Sequence, residues 1–410
     1  MNHPIKEFLG YPRADGLVGT RNKVLILATV HCSFIPAREI AKIAPKAIVL
    51  THYWNCRSTG EGQEMVVDGL VEMCKHPNIG AVLLVGLGCE EISVSLISER
   101  ISGCTKPWDA IVCQEAGSAQ AIEKGRRLLT RLISKTSVEK RERMNLSHLK
   151  VAVQCGASDF SNGLFSNPAV GRTVDNLIEA GATVIFSEVA ELIGVEDLLE
   201  KRAANRSVAR EIRLAIEDER KRWRTLHRSF NSHENHGNVK GGLSTIEEKS
   251  CGAVLKSGSK KVQGVLEYSS ERIEKPMKPG LYLQNQDGYG SDVGSITAMV
   301  AAGAQMAVFT TGSGSIVGHA IIPVFKVTAN DDTYNRMADN IDYFVSPGDY
   351  LSKDSIDKDG MEIFKSLMKI ASGEQTKAEV LGQNDFAVLR IDSMSGISES
   401  RRKIKPPKCI

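Results

Sequence analysis

The feature that most constrains this chain recurs along it: short, nearly continuous apolar runs, each closing at a glycine, cysteine or polar turn and most followed by a helix-like stretch. "KVLILATV" begins at Lys23, "KAIVLT" at Lys46, "AVLLVG" at Ala81 and "DAIVC" at Asp109. A strand with one wet face alternates apolar and polar residues, so continuous runs predict strands covered on both faces, as in a parallel sheet flanked by helices. The pattern resumes with "LKVAVQC" from Leu149, "ATVIFS" from Ala182, "GLYLQN" from Gly280, "AQMAVFTT" from Ala304 and "IIPVFKVT" from Ile321. The predicted class is α/β, as two Rossmann-like, doubly wound domains with mainly parallel sheets, 1–147 and 148–410. The second domain carries the loop "TGSGS" and a long segment, "RSVAREIRLAIEDERKRWR", whose mixed charges predict an exposed helix.

Composition narrows the function classes. With 52 basic and 49 acidic residues the net charge is only +3, which argues against nucleic acid as a partner. No stretch approaches the ~18 apolar residues of a membrane helix, and "MNHPIKEFLG" lacks the build of a signal peptide, so a cytoplasmic protein is expected. In that reducing compartment nine cysteines are not needed as disulfide staples, and their positions call for another reason.

Open α/β sheets bind ligands beyond the carboxyl ends of their strands. Cys32, Cys56, Cys89, Cys113 and Cys155 all fall at such ends. A single buried cysteine is ordinarily a small hydrophobe, which suits Cys113. Cys56, Cys89 and Cys155 differ, because "NCRSTG", "GLGCEE" and "QCGASD" are Gly-rich or polar turns from which a thiolate could reach a soft metal. Two alternatives stand open: an iron-sulfur cluster on three thiolates, or a single iron, manganese or zinc ion held by some of these thiols with His31, His52 or a carboxylate.

A second constellation lies further on. Thr311, Gly312, Ser313, Gly314 and Ser315 follow an apolar strand, where backbone N–H groups can form a nest for an anion; a plain tight turn has the same signature. Lys326 follows on the next strand, placed to neutralise an anionic substrate. Glu188 and Glu191 are three apart, on one side of a starting helix. Thr245 and Glu248 have capping-box spacing beside Lys249, a candidate base if it is desolvated.

Together these stretches resemble the altronate/galactarate dehydratase family of sugar-acid hydro-lyases, whose relatives include the large subunit of sulfolactate sulfo-lyase. "GYPRADGLVGTRN", "HPNIGAVLLVGLGCE", "QCGASD", "NPAVGRTVDNLIEAGATVIFSEVAELIG", "GNVKGGLSTIEEKS" and "SITAMVAAGAQMAVFTTGSGSIVGHAIIPVFKVTAN" follow one another in the family's order between Gly10 and about Gly348. The resemblance implies the large subunit of a metal-dependent enzyme that dehydrates a 2,3-dihydroxy acid to a 2-keto-3-deoxy acid. The alternatives are a sulfo-lyase releasing sulfite, or a non-catalytic binding protein on the same scaffold.

By resemblance the metal, iron foremost, as a cluster or as Fe2+, with Mn2+ or another divalent ion as alternatives, falls to Cys56, Cys89 and Cys155. The substrate acid falls to Gly156, Ser158, Asp159, Asn238, the Thr311 to Ser315 turn and Lys326. Lys249, Glu188, Glu191 and His52 are the candidate catalytic bases. Two departures stand out: Ser313 replaces the arginine of the family's usual "TGRGS", and "THYWNCRS" replaces a Gly-rich "THGSGCG". Because the opening motif begins by Gly10, the family's small SAF-type domain is expected on a separate subunit, within a homo-oligomeric assembly.

Overall fold

A computed structural model describes residues 5–54, 61–225, 236–269, 271–286, 291–347 and 353–390. The chain begins with β1 (Glu7–Pro12) and β2 (Val18–Gly19), then β3 (Lys23–Ala28), β4 (Ile48–Leu50), β5 (Ile79–Gly86) and β6 (Trp108–Val112). The last four make a parallel sheet in the order β4-β3-β5-β6. All eight residues of β5 are buried, which is why its sequence shows no alternation.

The short β7 (Glu142–Asn145) pairs antiparallel with β1, which also pairs with β2. Beyond it come β8 (Lys150–Gly156), β9 (Thr183–Phe186), β10 (Val262–Tyr268), β11 (Gly280–Gln286), β12 (Met306–Thr311), β13 (Val324–Thr328) and β14 (Tyr343–Phe344). They form a seven-stranded parallel sheet in the order β10-β11-β9-β8-β12-β13-β14. Both larger sheets are doubly wound α/β layers. From β8 the chain steps to β9 on one side and later returns to lay β12 on the other. The gap between β8 and β12 is therefore a switch point, where helix N-termini diverge and leave a crevice.

The two sheets share a core. Met65, Val66 and Leu70 of the helix Glu61–Lys75 pack in one cluster with Ile296, Met299 and Val300 of the helix Asp292–Ala301. Polar staples reinforce this seam. Arg21 forks onto Glu379 at 2.8 and 2.7 Å and donates to the carbonyls of Ile370 and Glu374, so the arginine of the opening motif is a structural clamp.

The helix Arg206–Thr225 departs from expectation. Val208, Ile212, Ala215 and Ile216 are buried in the second core, so its mixed charges cover only the outer face of an amphipathic helix. The strand at Val262 and the helix Lys353–Ala371 had no counterpart in the sequence reading. No helix among the described residues is long and apolar enough to cross a membrane.

Candidate active site at the switch point of the second sheet

β8 delivers Cys155 and Gly156 to the crevice, and the backbone then turns sharply: Ala157 adopts φ 47°. β9 ends at Phe186, and after Ser187 the backbone of Glu188 takes φ 72° before the short helical turn Val189–Leu192. Ala157 and Glu188 are the two non-glycine residues with positive φ among those described. Such backbone costs about 1–3 kcal/mol per residue and persists only where surrounding contacts impose it. The helix Ile246–Val254, whose first turn is capped by the Thr245 hydroxyl accepting from Glu248 N, carries Lys249, and its continuation Leu255–Ser257 carries Lys256. Seven residues are about two helical turns, so both lysines meet the same crevice.

Five groups converge there. Lys256 Nζ donates to Cys155 Sγ at 3.0 Å and to Glu188 Oε2 at 2.7 Å. Lys249 Nζ lies 2.9 Å from Glu191 Oε1 and donates to Ser158 Oγ at 2.8 Å. The Cys155 thiol lies 3.2 Å from Glu191 Oε2 and 3.6 Å from Glu188 Oε2. Lys256 is 1% exposed and Lys249 6%, burial that an ammonium tolerates only when paired.

The environment divides the two carboxyls. Burial, then the neighbouring Glu191, pushes the Glu188 carboxyl up. At Glu191 burial acts in the same direction, but Lys249 and then Lys256 outweigh it and hold the carboxyl below its ordinary range. Burial pushes the Cys155 thiol far up, which keeps it neutral. Burial also opposes the charge on both lysines, yet the neighbouring carboxylates override it and keep them protonated. One carboxyl poised to give a proton beside one poised to take it is an acid–base pair.

Asp292 borders this group. Gly156 admits it: a Cβ at Gly156 would fall 2.5 Å from Asp292 Oδ2. Burial, then Glu191, pushes Asp292 up to about 6. Neither Lys256 nor Asp292 was singled out in the sequence. The two-turn spacing from Lys249 was a signal for Lys256; Asp292 had none, because the packing of a distant helix against Gly156 brings it in.

The remaining candidate residues fall in several places. Ser158 joins the site through Lys249, and its N–H donates to the buried Asn238 Oδ1 at 3.1 Å. Asp159 is a strut: it accepts from Ser161 Oγ, Asn162 N and Asn330 Nδ2. It also packs so closely on Gly312 that a Cβ there would lie 2.2 Å from its Cγ. Three of the amides expected to form an anion nest are already bonded. Gly312 N and Ser313 N donate to Ala157 O, and Gly314 N donates to Thr311 Oγ1, while Ser315 Oγ accepts from Val317 N. The turn thus supports the strained Ala157 rather than presenting free donors. Lys326 is fully buried, and its Nζ donates to Val317 O and Gln383 Oε1. His52 is buried beside the first sheet, its Nε2 2.7 Å from Thr29 O, outside the five-group cluster.

Of the three expected metal ligands, Cys89 and Cys155 lie among the described residues. Cys56 lies outside the described residues. Cys89 is exposed on the turn after β5 and does not join Cys155. Cys155, Glu188 and Glu191 are the one set among the described residues whose donor atoms lie within 4.8 Å of one another. Both ammoniums, however, are bonded to these same atoms, and burial keeps the thiol protonated. A divalent ion needs deprotonated ligands and would have to expel two paired cations, so the residues present do not fit it.

Known proteins match this chain along most of its length. The family model for D-galactarate/Altronate dehydratase, C-terminal, covers residues 146–394, and that for D-galactarate dehydratase/Altronate hydrolase, second domain, covers residues 10–137. The (2R)-sulfolactate sulfo-lyase subunit beta of Chromohalobacter salexigens is 31% identical over 94% of this chain and 98% of its own length. The altronate dehydratase of Bacillus subtilis is 32% identical over 94% of this chain and 77% of its own, and that of Escherichia coli 31% identical over 93% and 76%. With both its sheets and its buried acid–base cluster inside these matched spans, the chain belongs to the D-galactarate/altronate dehydratase family.

Proposed function

We propose that this protein is a cytoplasmic lyase that dehydrates a sugar acid or related 2,3-dihydroxy acid to a 2-keto-3-deoxy acid. The observation that carries the reading is the pair Glu188 and Glu191, buried together, with burial and the neighbouring Glu191 raising the proton affinity of Glu188 while Lys249 and Lys256 lower that of Glu191. Elimination next to a carboxylate needs three things: a base for the C2 proton, a cation for the charge that develops on the acid, and an acid for the departing group. Glu191, held ionised, takes the C2 proton. Lys249, oriented by Ser158, stabilises the enediolate that forms. Glu188 gives its proton to the C3 hydroxyl as the C3–O bond breaks; water leaves, and the enol tautomerises to the 2-keto acid.

A second reading is release of sulfite from sulfolactate, favoured by the match to nearly the full length of the sulfo-lyase subunit. The same base and cation serve, with the C3–S bond breaking instead. That relative's name marks it as one chain of several, and we propose likewise a small SAF-type partner subunit and a homo-oligomeric assembly for this protein.

The test is anaerobic co-expression with a small SAF-type chain, then incubation with a panel of sugar acids and with sulfolactate. Formation of a 2-keto-3-deoxy acid supports the first reading and sulfite the second. Neither product from any member of the panel defeats both and favours a binding protein on this scaffold.

A further inference from the structure

Away from the strand mouths, at the amino ends of β8 and β9, a cavity of about 240 Å³ opens on the seam between the two domains. Lys75 reaches its wall from the last turn of the helix Glu61–Lys75, and Lys150 from the first residue of β8. Lys275 and Lys278 come from the loop before β11. Against four ammoniums the wall holds one carboxylate, Glu72, which is paired across the seam with Lys275. Lys75, Lys150 and Lys278 make no side-chain hydrogen bond or ion pair with any other described residue. Burial first, and then the charge of Lys275, pulls Lys150 below its ordinary range, which is the mark of a cation lacking a counter-ion.

Lysine at a helix C-terminus is ordinary dipole compensation, and that accounts for Lys75. It does not account for Lys150, which begins a strand, or for the loop lysines. Like charges held together in a part-buried space repel unless an anion joins them. Isolated ammoniums act as point charges suited to phosphate oxygens, whereas a planar carboxylate is better met by an arginine fork, and this wall has none. The volume admits a small ligand only.

We propose that this seam is a binding site for a phosphate group, free or carried on a small ester, which bridges the two domains by joining Lys75 of one to Lys150 and Lys278 of the other. The site is separate from the acid–base cluster and does not depend on the reaction assigned to it.

The experiment follows thermal unfolding and calorimetric binding of the purified full chain with inorganic phosphate, pyrophosphate and glycerol phosphate, at ionic strength held constant with sodium chloride. Saturable binding by any of the three is expected, with Tm raised by about 2 °C at tenfold excess over Kd. The arm that saturates at the lowest concentration tells free phosphate from ester. Lys150→Gln with Lys278→Gln, which breaks no ion pair between described residues, should weaken binding at least tenfold while leaving the unliganded Tm unchanged. A response that sodium chloride alone reproduces, or equal binding by parent and double variant, overturns the proposal.

Discussion

The mouths of the two sheets look alike in sequence and differ in chemistry. Cysteines close strands in both. At the first, Cys32 and Cys89 are exposed, the His31 and Tyr53 rings lie tilted with centroids 4.4 Å apart, and the nearby Glu90 carboxylate is taken up by the amides of Leu87 and Gly88 and by the Thr29 hydroxyl. At the second, Cys155 is fully buried, two carboxylates face it, and two lysines arrive from a helix about a hundred residues further along the chain. On the function proposed above, a thiol at a strand end is not by itself the signal of the reacting centre. The signal is strained backbone that turns acids inward, together with cations brought in by another segment.

That contrast can be broken experimentally, and the largest effect is expected at Lys256. Lys256→Met leaves Glu188 and the thiol without their buried cation and should cost about 3–5 kcal/mol of stability, read by urea unfolding. An unchanged midpoint would show the pair to be ornamental. Glu191→Gln keeps the shape and removes the base, so turnover should fall roughly 100- to 1,000-fold with the circular dichroism spectrum intact. Activity within threefold of the parent would move the base elsewhere, His52 being the next residue to test.

Asp292 sharpens the comparison through pH. Its carboxyl rises from 3.8 in the unfolded chain to about 6 in the fold. Between those values the folded protein retains a proton that the unfolded chain has lost, so stability falls as pH rises through that window and the full penalty stands above it. With allowance for solvent contact the effect is about 2 kcal/mol. Asp292→Asn should flatten this part of the stability profile; a parallel profile would mean that the carboxyl titrates normally.

The smallest effect belongs to the first sheet. Cys89→Ser should change Tm by less than about 1 °C and turnover by less than about twofold, since an exposed side chain with few contacts contributes little. Loss of activity together with bound iron in that variant would restore the first mouth as the reacting one and reverse the comparison.

The architecture was legible because it depends on local rules. Runs such as "AVLLVG" and "LKVAVQC" can be satisfied only by strands covered on both faces, and both are central or near-central in their sheets. Glu188, Glu191, Lys249 and Ser158 were also legible as chemistry-bearing side chains next to strand ends or caps. The partners of Lys326 and of the Thr311 to Ser315 turn were not legible, because they depend on which distant oxygen reaches each group, and Val317, Gln383 and Ala157 reach these.

Sequence alone thus determined most strands of the two larger sheets, with their burial and parallel pairing, since continuous hydrophobicity is written residue by residue. Only the tertiary structure decided that Cys155 meets Lys256 rather than Cys89, and that Asp292 stands against Gly156. Those contacts depend on strand order and on the left-handed turns at Ala157 and Glu188, which packing across the whole sheet imposes on residues with no intrinsic preference for them.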